Sequence, residues 1–220
     1  MDADRLGLWG TSFSGGHVQH LAAQGAEHGF RVAAVVAQAP FCDGRADEGE
    51  LWQSARLALA SLRDRLRSHL NFEPLYVGLV GHPGDLAVMT SPDALLGIRT
   101  EPEDSLWENR VAARVLLDAV NYRPGLEADK IRCPIRYDLP SRDVVTPVKP
   151  IEEAAARAPR GELARWDATH FEIYWEPWFS KLAAAQAAFF ATHLGASGAT
   201  SARAAAEAPS ETISGREVGA

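Results

Sequence analysis

The stretch GLWGTSFSGGHV, residues 7–18, constrains the fold of this chain more than any other. An apolar, strand-like run leads into Gly-x-Ser-x-Ser-Gly-Gly and then directly into a helix-forming segment. A Ser on a sharp turn between a strand and a helix takes strained backbone angles, so the residues two before and two after it must be small. Here those are Gly10 and Ser14, while Gly15 and Gly16 let the helix approach the strand. Such a turn lifts the Ser12 hydroxyl above the sheet. It also turns the free N–H groups of the helix start, beginning with that of Phe13, toward a developing oxyanion. The bare motif arises by chance, and the strand before it and helix after it make it specific.

The remainder of the chain supplies the sheet on which such a turn sits. RLGLWG (5–10) and RVAAVVAQAP (31–40) are apolar, partly β-branched and bounded by Gly or Pro, as buried strands are. GGHVQHLAAQGAEHGF between them has the composition of a helix ending near Gly29. Strand, helix and strand in this order form a βαβ unit with parallel strands. A second unit follows, with CPIRYDLPS (133–141) as strand, KPIEEAAARAP as helix and ELARWD (162–167) as the next strand, before a closing helix from Trp178 to Leu194.

Residues 45–130 interrupt the alternation. In ELWQSARLALASLRDRLRSHL (50–70), Leu51, Ala55, Leu59, Leu62, Leu66 and Leu70 follow helical spacing and predict an amphipathic helix. SLWENRVAARVLLDAVNY (105–122) opens with Ser105 and carries Glu108 three residues later, the pattern of a capping box, and predicts a second helix. The expected organisation is an α/β core from 1–44 and 131–195, a helical cap insertion at 45–130 and a disordered tail at 196–220, which is small, polar and aperiodic.

A serine hydroxyl needs a base to take its proton, and the base needs a carboxylate to orient it. Asp143 follows the strand in CPIRYDLPSRDVVTP, and His170 follows the last strand in WDATHFEIYW. The order Ser12, Asp143, His170 is that expected of a Ser, acid, His set in this kind of fold. Asp43, in APFCDG after the second strand, is the alternative acid. Arg136 and Asp138 put charges inside an otherwise apolar strand, and periodicity offers no account of them. His17 and His20 lie one turn apart on a helix without a third ligand nearby, so they read as surface residues rather than a metal site. Trp52, Trp107, Trp175 and Trp178 suit either an acyl pocket or plain core.

GLWGTSFSGGHV, VVAQAPFCDG, WENRVAARVLLDAVNYRPGLEADKIRCPI, SRDVVTP and THFEIY together resemble the C-terminal two-thirds of an α/β-hydrolase, from the first residues to about Leu194. More narrowly, they resemble the Xaa-Pro dipeptidyl-peptidase-like and dienelactone-hydrolase-like bacterial branch, which has polyketide acyltransferase relatives. The resemblance implies a mostly parallel sheet, Ser12 as nucleophile, Asp143 as acid and His170 as base. It also implies a serine hydrolase acting on an ester, thioester or related acyl bond of a small molecule, without a cofactor. In that family the turn follows the fifth strand, and the second oxyanion donor comes from the loop after the third. About ten residues precede the turn here, so that donor has no source in the chain, and the first strand is expected to expose one edge. Three readings stay open at this point: a misplaced coding start, a gene fragment, or a homo-oligomer or partner chain that completes the sheet at that edge. The competing readings are a catalytically silent binding or assembly module and an acyltransferase.

Composition narrows the partners. A net charge of −7 with no clustered Lys and Arg argues against nucleic acid. No run approaches a membrane span, and MDADRLGLWG has no basic region followed by an apolar one, so a cytoplasmic protein is expected. Cys42 and Cys133, the only two cysteines, read as half-buried free thiols.

Overall fold

A computed structural model describes residues 5–25, 27–46, 55–98 and 106–195. Strands β1 (Gly7–Thr11), β2 (Ala34–Gln38), β6 (Ile135–Pro140) and β7 (Gly161–Trp166) form one parallel sheet in the order β1-β2-β6-β7. Strand side chains alternate between faces. Val35, Ala37, Ile135, Tyr137 and Leu139 therefore meet Val18 of helix α1 (Phe13–Gln24) and Ile151 of α5 (Val148–Arg157) on one side. Ala34 and Val36 meet Phe189 of α6 (Trp178–Leu194) on the other. Because both faces of β2 are covered, its sequence is a continuous apolar run rather than an alternating one. β1 and β7 are the edges, and Trp9 on β1 is half exposed.

The segment between the two units differs from expectation. Besides α2 (Ala55–His69), α3 (Pro92–Ile98) and α4 (Val115–Ala119), it holds a second sheet, with β3 (Tyr76–Val80) between β4 (Ala87–Met89) and β5 (Val111–Ala112). It is thus a mixed insertion and not a helical one. The helix expected over 105–122 is cut short because Val111–Ala112 pair antiparallel with Tyr76–Val77. Just before them, the Asn109 carboxamide accepts from the N–H groups of Leu79 and Val80 and donates to the Val80 carbonyl, doing the work of a strand. Ser105 lies outside the described residues, as do Leu51, Trp52 and the segment 196–220.

Helix α2 forms where expected but presents the opposite face. Leu57, Ala60, Ser61 and Asp64 are buried, whereas Leu59, Leu62, Leu66 and Leu70 are exposed. The reason is a buried ion pair. Asp64 accepts from Arg114 Nε at 2.9 Å and Nη2 at 3.1 Å, and from the backbone N–H of Leu75 and Arg114. Burial pushes the Asp64 carboxyl up, but these donors outweigh it and hold its pKa at about 2. One carboxylate with four donors fixes which side of α2 faces inward.

Both cysteines are free, as expected, but buried rather than half-buried, and burial pushes Cys42 to about 12 and Cys133 to about 11. Among the described residues no helix is long and apolar enough to cross a membrane, and no cluster of His, Cys, Asp and Glu fits a metal ion. His20 accordingly meets Glu127, and His17 packs edge-on to Phe13.

Candidate active site

The turn after β1 has the geometry that its sequence demands. Ser12 has φ +53° and ψ −122°, in the left-handed half of backbone space where a side chain is strained. Hydrogen bonds from the Ser12 N–H to Gln38 O (2.9 Å) and from the Phe41 and Gly15 N–H groups to Ser12 O hold it there. A Cβ at Gly10 would stand 2.3 Å from the Ser14 carbonyl oxygen, and one at Gly16 would stand 2.5 Å from that of Phe41. Ser14, where a glycine would be the simpler choice, has its own function. Its hydroxyl donates to Thr11 O at 2.7 Å and accepts from Thr11 N–H at 3.0 Å, clasping the turn.

Asp143 lies in the turn between β6 and α5, with the N–H groups of Val145 (2.7 Å) and Thr146 (2.8 Å) donating to Oδ1 and the Thr146 hydroxyl donating to Oδ2 (2.7 Å). His170 follows β7 and is almost fully buried, and its Nδ1 is 2.7 Å from Asp143 Oδ2. Its Nε2 is 3.1 Å from Ser12 Oγ. Three residues separated by more than 150 positions at the extremes are thus joined in one hydrogen-bonded line. Asp43 lines the cavity beside Ser12, but it is held in a two-point pair with Arg123 at 2.7 Å for each bond, while His170 pairs with Asp143, and the Arg123 pairing lowers the pKa of Asp43.

The loop bearing His170 is anchored on both sides. The Thr169 N–H and Arg142 Nη2 both donate to Glu172 Oε2, and the Thr169 hydroxyl donates to Asp93 of α3. The insertion is therefore tied directly to the loop that carries the imidazole.

Two cavities meet at Ser12. One, of about 420 Å³, is walled by Phe13, Phe41, Val88, Val111, Leu116 and other mostly apolar groups. The other, of about 440 Å³, is lined by His170, Phe171, Tyr174, Trp175 and Gly97. Ser12 and Met89 belong to both. Of the four tryptophans with two readings, Trp175 lines the second cavity and Trp178 packs on Trp166 in the core. Thr146 and Tyr174 escaped the sequence reading. The spacing of Thr146 three residues after Asp143, as in a side-chain turn, was the available signal for the first.

Comparison with known proteins bears on the fold. In structure the chain is similar to α/β hydrolase GrgF from Penicillium sp. sh18 (TM-score 0.70, 20% identity, 88% of this chain and 65% of that one). It is also similar to the monoacylglycerol lipase of Paleococcus ferrophilus (TM-score 0.61, 18% identity, 85% of this chain and 68% of that one). The chain has the α/β-hydrolase fold. In sequence it is 36% identical over 177 residues to quorum-quenching protein AidA of Acinetobacter baumannii (strain MDR-ZJ06). That alignment takes in 79% of this chain, which spans 57% of AidA. No protein-family model matches the chain.

Proposed function

We propose that this protein is a serine hydrolase that cleaves an ester, thioester or related acyl bond through an acyl-enzyme on Ser12. The observation that carries the reading is the line Ser12 Oγ, His170 Nε2, His170 Nδ1, Asp143 Oδ2, with steps of 3.1 Å and 2.7 Å between side chains. In the proposed reaction, Ser12 Oγ attacks the acyl carbon as His170 Nε2 takes its proton. Asp143 holds the Nδ1–H tautomer and stabilises the imidazolium, and its three other donors keep it fixed while it does so. The N–H of Phe13, at the start of α1, donates to the oxyanion. His170 then returns the proton to the leaving atom, and water repeats the sequence to free the acid.

The two cavities divide the substrate. Because the leaving atom takes its proton from His170, it belongs on the His170 side, and the acyl chain fills the apolar cavity of about 420 Å³. The likeness to a quorum-quenching protein adds quorum signals to the substrates to be assayed. The sequence resemblance to dienelactone-hydrolase-like and Xaa-Pro dipeptidyl-peptidase-like proteins belongs to the same reading. Transfer of the acyl group to an alcohol or amine differs only in the acceptor.

Labelling by a fluorophosphonate probe tests the reading: it is expected in the wild type and absent in Ser12→Ala, and equal labelling of the two would refute it. Among the described residues β1 is paired on its β2 side alone and Trp9 is half exposed, which favours a second reading in which the domain assembles with another chain. Light scattering separates the two, because an active monomer has no need of that partner.

A further inference from the structure

Arg136 and Asp138, the charges that periodicity leaves unexplained, lie at the root of a polar row beneath the reaction centre. Thr11, Gln38 and Asp138 are register neighbours across β1, β2 and β6. Asp138 is wholly buried and is held by Arg136 Nη2 at 2.8 Å and Trp166 Nε1 at 2.9 Å. Its Oδ2 also accepts from Gln186 Nε2 at 2.9 Å, on the α6 side of the sheet. The chain of bonds goes on through Gln186 Nε2 to Gln38 Oε1 (2.8 Å), Gln38 Nε2 to Thr11 Oγ1 (3.3 Å), and Thr11 Oγ1 to Tyr174 Oη (2.6 Å).

As far as Thr11, the direction of this row follows from donor and acceptor inventory alone. A carboxylate only accepts and an indole N–H only donates. Asp138 on one side and Trp9 Nε1, 2.9 Å from Gln186 Oε1, on the other therefore fix the Gln186 amide. Gln186 in turn sets Gln38 with its oxygen toward α6 and its nitrogen toward Thr11. Thr11 Oγ1, with one hydrogen and two lone pairs, accepts from Gln38 and shares a 2.6 Å bond with Tyr174 Oη in which either oxygen can donate; with Thr11 as donor, the phenol hydrogen is free for the cavity that Tyr174 lines with His170 and Ser12.

We infer that Tyr174 is a catalytic residue that donates a hydrogen bond to the leaving oxygen of the substrate, and that Asp138, acting through Gln186, Gln38 and Thr11, is the residue that positions it. As the bond from the tetrahedral carbon to that oxygen breaks, the electron pair moves onto the oxygen, His170 delivers the proton, and Tyr174 supplies a neutral donor throughout. Burial raises the phenol pKa against the opposing pull of Thr11 and Gln38, which suits a group that gives a hydrogen bond and keeps its proton. The substrate class sharpens accordingly: an acyl ester or lactone of an unactivated alcohol, whose poor leaving oxygen needs the help.

The inference rests on the acyl-enzyme reading, and two butyrate esters distinguish the two. Tyr174→Phe is expected to lower kcat/KM for ethyl butyrate about 10- to 100-fold, the worth of a hydrogen bond to a charged oxygen, and for p-nitrophenyl butyrate about 3-fold or less. Asp138→Asn, which sets an amide donor against Gln186, is expected to show the same dependence on leaving group at smaller size, and melting temperatures check that both variants fold. Equal losses on both esters, or none, with a wild type whose turnover needs Ser12 would overturn the role of Tyr174 alone. Loss confined to Asp138→Asn would do so too. Turnover that survives Ser12→Ala, or none in the wild type, would overturn the acyl-enzyme and this inference with it.

Discussion

Along β2, Val35 and Ala37 face one layer and Ala34 and Val36 the other, and all four are buried. Along α2, Leu59, Leu62, Leu66 and Leu70 keep perfect helical spacing and are exposed, while Leu57, Ala60 and Asp64 are buried. Both patterns are apolar and periodic, yet only the first identifies its own interior. β2 has a neighbouring strand on both sides and helices on both faces, so every apolar residue along it is covered. In the segment 55–122, orientation is set by polar contacts that periodicity does not weigh. Leaving a buried Asp64 unpaired costs about 3–5 kcal/mol, on the scale of burying two leucines at about 1.5–3 kcal/mol each, so the ion pair weighs in the balance as heavily as part of the stripe.

The largest expected effect tests the sheet's part of this contrast. Ser12→Ala is expected to lower the kcat for p-nitrophenyl butyrate on the order of 10⁴-fold or more, with the melting temperature nearly unchanged. Retained turnover would mean that the strained turn at φ +53° carries no chemistry.

Next comes the ion pair in the other region. Asp64→Ala removes four hydrogen bonds and leaves Arg114 without its partner, and is expected to cost about 3–5 kcal/mol in urea denaturation. The pH dependence has a definite sign. The Asp64 carboxyl sits at about 2 in the folded chain against an ordinary 3.8, so its stabilisation is complete above about pH 4 and lost as pH falls toward 2. Thermal melts between pH 6 and pH 2 are expected to show this loss in the wild type and a shallower one in Asp64→Asn.

Leu139→Ala gives the sheet's own packing scale. Leu139 is fully buried on β6 among Tyr137, Ile151 and their neighbours, and its truncation is expected to cost about 2–5 kcal/mol. A loss below 1 kcal/mol would show that the site beneath Asp143 collapses easily.

These effects also mark how much was legible. The Ser12 turn, the Asp143 turn and the His170 loop could be read from sequence because each follows a strand of obvious composition, and the parallel pairing puts all three at the C-terminal end of the sheet. The closing helix, Trp178–Leu194, likewise falls where it was expected. β3, β4 and β5 could not be read, since they have five, three and two residues and depend on one another and on Asn109 for their hydrogen bonds. The polar row under the site lay open in the sequence as single oddities: Gln38 ending an apolar strand, Asp138 inside another, Gln186 in an alanine-rich helix. Only the register of β1, β2 and β6 makes them one feature.

The smallest expected effect decides whether the leucine face of α2 is truly a solvent face. Leu66 is two-thirds exposed, and a side chain already in water loses little transfer energy when replaced. Leu66→Ser is therefore expected to change stability by no more than about 0.5 kcal/mol, with helix propensity accounting for the change. The double variant Leu59→Ser and Leu66→Ser is expected to be additive, because the two positions lie about two helical turns apart and both are exposed. A cost near that of Leu139→Ala, or one that varies with protein concentration, would mean that the stripe is covered in solution. It would then belong to an interface, and the contrast between α2 and β2 would be one of partner rather than of rule.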